Sequence, residues 1–567
     1  MFLCANYLKQ ALLARKNGRS RVGANRPENP GKPRTNENDF AFAVRLRTVK
    51  YVFAATNYVI GFSEFGWGGA VQEGYLAKFF SERDYLLEPA AAKRLCELPD
   101  GEAMQAAEAS VQFLSQRGGF VLTRPLLEAI LEDLASARKA AQPALVQKTG
   151  FDAAAKRMPS NLSFKEDRDV TLKSTCTGSL EDFVSYFNDR LTQERGFLRN
   201  RQTQLTYATI QKLKSSDDRK TVRVIGMVSD KRHTKNGHVL VEFEDESGSM
   251  PCLFSKNDKG ALELANQLLL DEVIALDGFK SGELFIVKDA SWPELPIRER
   301  RLADSDACIA FISDLHVGSK FFMGENFENF LKFLNGDGPE EELAGRIKYL
   351  LIAGDITDGI GVYPRQEAQL VTKDIFEQYE VFAKLMEAVP DWVEVVISPG
   401  NHDAVRIAEP QPRLPKEFTK SLENKKNFHF VGNPAYVEVE GLSVLMYHGT
   451  SLDALVAALP SLRSGYQSPE KVGEEMLRRR HLCPIYGEKP IVPEKKDYMV
   501  IDFVPDLFHF GHVHKNGYSN YRGTTIINSG TWQSTTDYQL RQGHVPTPCQ
   551  LPVYEVRTGA LRVLDFK

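Results

Sequence analysis

The chain has 567 residues, a formal net charge of −4, 42% hydrophobic residues and 26% charged residues. A chain of this length holds about three or four domains with ample buried core, and the composition is that of an ordinary soluble protein. The nearly neutral charge balance does not indicate nucleic-acid binding, so any such binding must come from local patches.

The cysteines and the apolar segments near the start indicate the compartment. Seven cysteines are scattered without a C-x-x-C pair, which argues for reduced thiols and against zinc knuckles. The apolar run Tyr51–Phe62 is shorter than the roughly 18 residues that a membrane span needs. Residues 1–14 lack the small-residue cleavage site of a secretion signal. We therefore expect a cytoplasmic protein with no membrane partner.

The first 176 residues are predicted to contain a tail, a small domain and a linker. Residues 1–45, rich in Arg, Asn, Pro and Gly, are predicted to be a disordered basic tail, because they bury too little surface to offset their ordering entropy. Apolar residues at three- and four-residue spacing predict a helical domain over 46–138, of the kind that docks other proteins. Residues 139–176 lose this periodicity and are predicted to be a linker.

A connecting helix is predicted within residues 177–215. Ser179 is placed to cap its amino terminus, with Asp182 three positions later. An apolar stripe is interpreted as a packing face, and it comprises Leu180, Phe183, Val184, Phe187 and Leu191. The arginines of the later half are interpreted as solvated, and they are Arg190, Arg195, Arg199 and Arg201.

Residues 216–297 are predicted to form an OB-fold β-barrel, with three strands, a helix at Ala261–Leu269 and two more strands. The strands are predicted at Thr221–Val228, His238–Glu244, Ser249–Phe254, Glu272–Asp277 and Leu284–Val287. The first loop carries Lys231, Arg232 and Lys235, where OB domains often bind single strands. A barrel that is only a spacer packed on the next domain fits equally well, because no aromatic stacking platform is evident.

Residues 298–567 are predicted to form an α/β sandwich, which makes the whole chain a multidomain α+β protein. Its strands are predicted at Cys308–Ser313, Tyr349–Ala353, Val393–Ser398, Leu442–Tyr447, Leu507–Phe510 and Thr524–Asn528. Its helices are predicted at Asn326–Leu334, Glu367–Ala388 and Pro469–Arg480. In such sheets, ligands gather at the carboxyl ends of the strands.

Five short motifs follow the strands of this last domain. They are Asp314-Leu-His316, Gly354-Asp355, Gly400-Asn401-His402-Asp403, His448-Gly449 and Gly511-His512-Val513-His514. Because each lies at a strand exit, we expect two aspartates, one asparagine and four histidines to meet at one site. That set of oxygen and nitrogen ligands is what a pair of divalent metals needs for hydrolysing a phosphoester.

The residue types assign part of the chemistry. Asp314 and His316 are two positions apart in an extended segment, so both side chains point to one side. Asp355 follows a glycine that lets the backbone approach an ion, and its two oxygens can bridge two metals. Mn²⁺, Fe²⁺ and Zn²⁺ all accept this mixed ligand set, so residue type leaves the metal open.

The ordered motifs resemble those of the calcineurin-like metallophosphoesterases over roughly residues 306–540. The resemblance implies two ions bridged by Asp355. The other ligands that it implies are Asp314, His316 and His514 for one ion, and Asn401, His448 and His512 for the second. It further implies that His402, oriented by Asp403, is the general acid for the leaving oxygen, and that a metal-bound hydroxide attacks phosphorus in line.

The motifs favour a phosphodiester substrate. Protein phosphatases of this group have arginine after Gly-Asp-x-x-Asp, whereas this chain has Gly359 there. Nearby basic residues are candidates for steering a DNA backbone, and they are Lys320, Arg365, Arg406, Arg413 and Lys515. Each of them is individually compatible with an ordinary surface charge.

A narrower resemblance covers about residues 75–567. The segment Gly178–Arg190, the barrel and the segment from Arg478 to His514 look like the small subunit of archaeal family D replicative DNA polymerase. This resemblance implies a proofreading 3′→5′ exonuclease that removes mispaired 3′ nucleotides with two divalent ions, Mn²⁺ first, with Fe²⁺, Zn²⁺ or Mg²⁺ as alternatives. The implied partners are a large catalytic subunit, primer–template or single-stranded DNA, and a sliding clamp.

Two other functions remain open. The chain could be a phosphoesterase for another substrate, such as a nucleotide or an RNA end, or a non-catalytic polymerase scaffold. Every predicted ligand position holds a residue that can bind a metal, which argues against a scaffold. A free-standing phosphatase would not need the connecting helix and the barrel, so their presence argues against the other substrates. Histidines outside the motifs are interpreted as structural, and they are His429, His481, His509 and His544.

Overall fold

The computed structural model describes residues 73–98, 100–117, 119–131, 150–216, 219–536, 539–540 and 544–567. The chain divides into two units, whose described parts are residues 73–131 and 150–567. The predicted tail over 1–45 lies outside the described residues. Among the helices that are described, none has both the length and the apolar character that crossing a membrane requires.

The smaller unit is built from short helices and one two-stranded parallel sheet. Its elements are helix α1 (Glu73–Ser81), strand β1 (Leu86–Leu87), helices α2 (Pro89–Cys96) and α3 (Asp100–Arg117), strand β2 (Val121–Leu122) and helix α4 over residues 124–131. Side chains three or four positions apart, such as Leu76 and Phe80, bury one apolar face in a common core. The described part of the predicted helical domain is therefore largely helical.

The second unit begins with a segment that packs on its sheets. Strand β3 (Leu162–Phe164) pairs antiparallel with a strand at Ala435–Val439, and the Phe151 side chain is buried in the core. Two 3₁₀ turns, Ala154–Arg157 and Glu166–Arg168, flank β3. The prediction of a linker over 139–176 is therefore wrong for the described residues from 150 onward. These residues bury apolar surface although they lack a regular hydrophobic period.

Helix α5 (Leu180–Arg199) is capped as the sequence predicts, and the short helix α6 (Ile210–Lys214) follows it. The Ser179 hydroxyl accepts the backbone N–H of Asp182 at 3.3 Å, and the Asp182 carboxylate accepts the backbone N–H of Ser179 at 3.0 Å. This reciprocal pair satisfies two amide groups that have no partner inside the helix.

Replacing Ser179 with alanine is expected to destabilise the protein by about 1 kcal/mol, because one amide of the first turn loses its acceptor. Chemical denaturation of the two proteins measures the difference. The matched control is Ser185→Ala on the exposed face of the same helix, where the hydroxyl only bonds the Glu181 carbonyl oxygen. An equal effect of both substitutions would show that the cap is not the cause.

Arg190 corrects the interpretation of the arginines of α5 as solvated. Its side chain is fully buried, and its Nε lies 2.8 Å from the Asp497 carboxylate. Its Nη1 donates to the carbonyl oxygens of Asp271 and Pro484 at 3.0 and 2.7 Å, and its Nη2 donates to the Tyr186 hydroxyl at 2.8 Å. The buried charge is tolerated because these acceptors replace water around the guanidinium group. The pair with Asp497 also connects α5 to the segment around residue 497.

His481 completes this buried network. Its Nε2 lies 3.0 Å from the Asp497 carboxylate, so it has the structural role that the sequence predicts. Burial, reinforced by the Arg190 charge, lowers the pKa of His481 to about 4. The folded protein therefore keeps this imidazole neutral at pH values where an unfolded chain, with a histidine pKa of about 6.5, protonates it.

The stability contribution of His481 is expected to be complete above about pH 6.5 and to fall by about 3 kcal/mol as the pH drops to about 4, because the unfolded state binds the extra proton in that window. Urea unfolding of the wild type and His481→Gln at pH 7 and pH 4.5 tests this. The variant should lose less stability between the two pH values than the wild type does. Equal losses would contradict the linkage.

The next residues form a closed five-stranded barrel, and the predicted order of strands and helix is confirmed. The elements are β4 (Val222–His233), β5 (Val239–Asp245), β6 (Gly248–Phe254), helix α7 (Lys259–Asn266), β7 (Val273–Ser281) and β8 (Leu284–Ser291). Neighbours around the barrel run β4-β5-β6-β8-β7. Alternate side chains such as Val239, Val241 and Phe243 fill its interior.

Two six-stranded sheets make up the rest of the unit. Their strands from residue 308 onward are β9 (Cys308–Ile312), β10 (Ile347–Ala353), β11 (Glu394–Ser398), β12 (Phe428–Phe430), β13 (Ala435–Val439), β14 (Leu442–Met446), β15 (Leu507–Phe510), β16 (Asn516–Tyr521), β17 (Thr524–Ser529), β18 (Gln550–Glu555) and β19 (Leu561–Asp565). The first sheet has the order β12-β11-β10-β9-β18-β19, and the second has the order β16-β17-β15-β14-β13-β3.

The sheets pack face to face, and helices cover their outer faces. Along β9, Ile309 and Phe311 face the second sheet, whereas Cys308 and Ile312 join the core under the helices. This alternation explains why β9 is apolar throughout. The helices are α8 (Gly324–Leu334), α9 (Glu341–Arg346), α10 (Ile375–Met386), α11 (Lys416–Glu423), α12 (Leu452–Ala458) and α13 (Pro469–Arg479), with 3₁₀ turns at Gln366–Gln369 and Pro460–Leu462.

The six strands predicted for this region are all present. The helix predicted at Glu367–Ala388 begins only at Ile375, because the Asp374 carboxylate caps it by accepting the N–H groups of Phe376 and Glu377. The sequence did not predict the four edge strands of the two sheets, β3, β12, β16 and β19, or the inner strands β13 and β18. The mostly polar β16 shows why, since an edge strand needs no buried apolar face.

Candidate metal centre

The five motifs meet at the carboxyl ends of strands from both sheets. Strands β9, β10 and β11 run parallel and end at one edge of the first sheet, and the parallel strands β14 and β15 end at one edge of the second. The motif residues that follow these strands are, in chain order, Asp314, His316, Asp355, Asn401, His402, His448, His512 and His514. The sheet topology therefore brings together side chains that lie up to 200 positions apart.

The backbone turns sharply at these strand exits. Five of the expected ligands adopt the left-handed conformation, and they are Asp314 (φ 52°), His316 (φ 54°), Asp355 (φ 50°), His512 (φ 73°) and His514 (φ 57°). Each such residue costs of order 1–2 kcal/mol and persists only where its surroundings fix it. Strain concentrated in this way is typical of residues whose direction is set by a function.

Glycines beside the ligands allow the chains to approach closely. A Cβ at Gly354 (φ 85°) would lie 2.6 Å from Nδ1 of His448. A side chain at Gly400 would collide with the Asp355 carboxylate. Both glycines are therefore required for the carboxylate and the imidazole to occupy one small site.

Three overlapping groups of side chains offer ligand atoms within 4.8 Å of one another. They are Asp314 with His316 and His514, Asp314 with Asp355 and His448, and His316 with Asp355 and His402. Nearly all of these side chains are buried. Asp314, His316 and Asp355 each belong to two of the groups, so neighbouring groups share ligand atoms.

Short distances join the two sides of the site. Nε2 of His514 lies 3.4 Å from Oδ1 of Asp314 and 3.0 Å from Nε2 of His316. Nε2 of His448 lies 3.3 Å from Oδ2 of Asp355 and 3.0 Å from Oδ1 of Asn401. Nε2 of His316 also lies 3.8 Å from Oδ2 of Asp355, which joins these two sets of three residues, so six of the seven predicted ligands form one continuous set of contacts.

Hydrogen bonds on the far side of the imidazoles fix which nitrogen faces the site. Nδ1 of His448 lies 2.9 Å from the Ala353 carbonyl oxygen, and Nδ1 of His316 lies 3.1 Å from the Asp358 carboxylate. Nδ1 of His402 lies 2.8 Å from the Asp358 carbonyl oxygen. A carbonyl or carboxylate partner at Nδ1 leaves Nε2 as the atom available to an ion or a substrate.

Asp358 contacts two histidines of the site, a role that the sequence did not predict. It belongs to the Gly354-Asp355-Ile-Thr-Asp358 segment, and through its side chain and its carbonyl it orients two of the histidines. Gln366 donates to its other carboxylate oxygen at 2.8 Å. The second aspartate of a Gly-Asp-x-x-Asp motif was the signal that could have identified it.

The electrostatics of the site suit a divalent cation. Burial alone would raise the pKa of Asp355, but the histidines around it hold that pKa well below its usual range. Burial likewise opposes a charge on His448, but the Asp355 carboxylate raises its pKa to about 10. Within the described part of the chain, Asp314 and Asp355 form ion pairs with histidines and with no lysine or arginine. Buried carboxylates in this situation are ready metal ligands.

Asp403 corrects one detail of the expected arrangement. Its carboxylate accepts the backbone N–H groups of Ile356 and Gly400 at 3.2 and 2.8 Å and the Tyr379 hydroxyl at 3.0 Å, and it makes no described contact with the His402 ring. Asp403 therefore holds the Asp355 loop and the Asn401 loop together, and the Asp358 carbonyl orients His402. Burial, together with the nearby Asp355 charge, raises the pKa of Asp403 to about 6.

Of the predicted histidine ligands, His512 is the one that the three groups do not include. Its backbone N–H donates to the Asp314 carboxylate at 2.9 Å, and its ring packs edge-to-face on that of His448 with centroids 5.2 Å apart. Its Nε2 lies 3.2 Å from the carboxylate of Asp453. Asp453 was missed, because an aspartate in the first turn of a helix gives no further sequence signal.

The residues predicted to contact DNA differ in their exposure to solvent. Arg232, Lys235 and Arg365 are exposed. The others are held by internal contacts. Lys231 donates to the Leu268 carbonyl at 2.9 Å, Lys515 donates to the Val545 carbonyl at 3.2 Å, and Arg406 pairs with Glu494 at 3.3 Å. Only the exposed three have no such described partner, and their DNA contacts remain a prediction.

Known proteins resemble the chain over most of its length. The family of the B subunits of DNA polymerases alpha and epsilon matches residues 309–517. The DNA polymerase II small subunit of Methanocaldococcus jannaschii is 44% identical over 405 residues, which cover 70% of this chain and 68% of that protein. The DNA polymerase II small subunit of Methanothermobacter thermautotrophicus is 38% identical over 495 residues, which cover 86% of this chain and 98% of that protein.

A third relative, the DNA polymerase II small subunit of Archaeoglobus fulgidus, is 37% identical over 492 residues, or 86% of this chain and 97% of that protein. Sequence identity of this extent over nearly the full length of two relatives establishes the family of the chain. The chain belongs to the family of DNA polymerase II small subunits, the small subunits of the archaeal family D DNA polymerases.

Proposed function

We propose that this small subunit is a 3′→5′ exonuclease that uses two divalent ions to remove mispaired 3′ nucleotides during archaeal DNA replication. The observation that carries the proposal is the convergence of Asp314, Asp355 and their histidine neighbours in overlapping ligand groups at the ends of two facing sheets. On this proposal the two-sheet domain is a calcineurin-like phosphoesterase and the barrel is an OB-fold.

The predicted ligands would divide between two metal positions, with Asp355 common to both. Asp314, His316 and His514 would hold one ion, and Asn401, His448 and His512 the other. Divalent ions bound there, Mn²⁺ in the first place, supply Lewis acidity and make water a nucleophile near neutral pH. The donor set also accepts Fe²⁺ and Zn²⁺, whereas Mg²⁺ prefers oxygen ligands.

His402 is the side chain proposed to act on the leaving oxygen. Its Nδ1 bonds the Asp358 carbonyl, and its Nε2 lies 4.0 Å from Oδ2 of Asp355. When this ring is protonated, the proton on Nε2 faces the region between the ligands. His402 can therefore protonate the 3′-oxygen that leaves the phosphorus, which is the role of a general acid.

Gly359 supports a phosphodiester over a phosphomonoester substrate. Its φ of 74° is unfavourable for an arginine, and a side chain there would collide with the His402 carbonyl oxygen. The site therefore excludes at this position the arginine that clamps the terminal phosphate in protein phosphatases. DNA, whose internal phosphates carry a single charge, needs less neutralisation, and the exposed Arg365 nearby would contact the backbone.

The proposed partners follow from the family. The relatives are named as small subunits, so we propose that this chain assembles with a large catalytic subunit and acts on primer–template or single-stranded DNA. The loop with Arg232 and Lys235 is a candidate contact for a single strand, and a spacer role for the barrel is the alternative. A sliding clamp is a further proposed partner.

Replacing His402 with alanine is expected to lower the exonuclease rate by about 10²–10⁴-fold, because the leaving oxygen loses its proton donor. The measurement is a time course on 5′-labelled DNA with a 3′ mismatch in Mn²⁺, for the chain alone and with its large subunit. The His429→Ala variant, which loses contacts with Glu394 and with the Phe164 ring, serves as the control. Unchanged cleavage by the His402 variant would refute its role.

A further inference from the structure

The environment of His512 differs from that of the other expected ligands. His316 and His448 are fixed through Nδ1, by the Asp358 carboxylate and the Ala353 carbonyl. His512 is instead contacted at Nε2, by Oδ2 of Asp453 at 3.2 Å. An imidazole whose Nε2–H donates to a carboxylate keeps its free lone pair on Nδ1.

We propose that Asp453 is a positioning residue for the second metal position, where its carboxylate selects the tautomer and ring orientation of His512 that make Nδ1 the ligand atom. This inference rests on the proposed function, because His512 is a ligand only if the site takes two ions. It goes beyond that proposal by giving a role to a residue outside the five motifs.

Asp453 is itself held firmly. It lies in the first turn of α12, five positions after His448. Nζ of Lys489 lies 2.7 Å from the same Oδ2 that faces His512, and the Tyr466 hydroxyl donates to Oδ1 at 3.2 Å. A carboxylate anchored at both oxygens has little freedom to rotate, so it can hold an imidazole in one orientation.

The backbone of His512 is already held in place, so only the orientation of its imidazole ring needs a further contact. The residue has a left-handed φ of 73°, and its N–H is bound by the Asp314 carboxylate. With the main chain fixed, a flip of the ring would exchange Nδ1 and Nε2 and move the ligand atom away from its ion. The bond to Asp453 opposes that flip, in the same way that Asp358 opposes it for His316.

The carboxylates of Asp358 and Asp453 therefore act on different positions of the proposed pair of metal ions. Asp358 fixes His316 at the position shared with Asp314 and His514, and Asp453 fixes His512 at the position shared with Asn401 and His448. Loss of Asp453 should weaken one ion selectively. A general loss of packing would instead weaken both ions together.

The test is a titration of the metal-free full-length chain with Mn²⁺, in which electron paramagnetic resonance measures the free ion. The wild type should bind two ions. Asp453→Ala should bind one of them 10–100-fold more weakly, as is typical when a carboxylate behind a metal-bound histidine is lost. Asp453→Asn, whose amide oxygen still accepts the Nε2 proton, should lose less. Glu474→Gln, which breaks a surface pair with Lys471, should bind both ions as the wild type does.

A second readout needs no metal. In protein labelled with ¹⁵N-histidine, the His512 ring, assigned with His512→Gln, should show protonated Nε2 and unprotonated Nδ1 in the wild type. Asp453→Ala should shift the ring toward a mixture of tautomers.

The outcomes separate the inference from the function on which it rests. If the wild type binds no pair of ions, the proposed function fails and the inference fails with it. If the wild type binds two ions and Asp453→Ala binds both equally well, the inference alone is overturned. Equal weakening of both ions, or an unchanged His512 tautomer in Asp453→Ala, would also overturn it.

Discussion

Replacing Asp355 with asparagine is expected to lower the exonuclease rate by about 10³-fold or more and to reduce the occupancy of both metal positions. Asp355 is buried and lies between the two sides of the site, with His448 at 3.3 Å and His316 at 3.8 Å from the same oxygen. An amide has the same shape but no charge, so neither ion would keep its shared anionic ligand.

Elemental analysis after gel filtration measures the occupancy, and the 3′-mismatch assay measures the rate. The matched control is Asp306→Asn, which changes an exposed carboxylate paired with Arg557 and should alter neither quantity. Retention of two ions by Asp355→Asn would contradict its bridging role. Loss of activity with both ions retained would restrict its role to the chemical step.

Replacing Arg190 with methionine is expected to destabilise the protein by about 3–5 kcal/mol, because the buried Asp497 carboxylate would lose its main counter-charge. The carbonyl oxygens of Asp271 and Pro484 would lose their donors as well. Urea denaturation at pH 7, followed by circular dichroism, gives the free energy of unfolding of each protein.

The control for this substitution is Arg199→Met on the exposed part of the same helix. Its effect should stay within about 0.5 kcal/mol, as is usual for surface positions. A loss below about 1 kcal/mol for the Arg190 variant would show that the buried pair contributes little beyond what methionine packing replaces. Destabilisation by both variants equally would indicate an effect of helix composition.

The fold of the two-sheet domain was predictable where a strand is buried on both faces. Strand β9 is apolar at every position and β10 is apolar at all but Lys348, and an aspartate or a glycine follows within two residues of the end of each strand. Edge strands such as β16 carry no such pattern, because one side faces solvent. The sequence also did not predict that Phe151 and β3 pack on the sheets, because only a few residues of that segment are buried and they form no regular apolar pattern.

The residues of the candidate metal centre were predictable because each belongs to a short local motif. The residues that position them were not, since their partners are distant in sequence. Asp453 reaches His512 across 59 positions, and Arg190 reaches Asp497 across 307. The prediction that Arg190 is solvated was wrong. A helical arginine is usually exposed unless it pairs with a carboxylate, and the carboxylate that pairs with Arg190 is distant in sequence.

We propose that this chain binds two divalent ions, one on either side of Asp355. Anomalous scattering from crystals soaked in Mn²⁺ tests it most directly. We expect two peaks about 3.5–4 Å apart, one within ligand distance of Asp314, His316 and His514 and the other within ligand distance of Asn401, His448 and His512. The absence of manganese at these residues, or a single ion that Asp355 does not contact, would contradict the account.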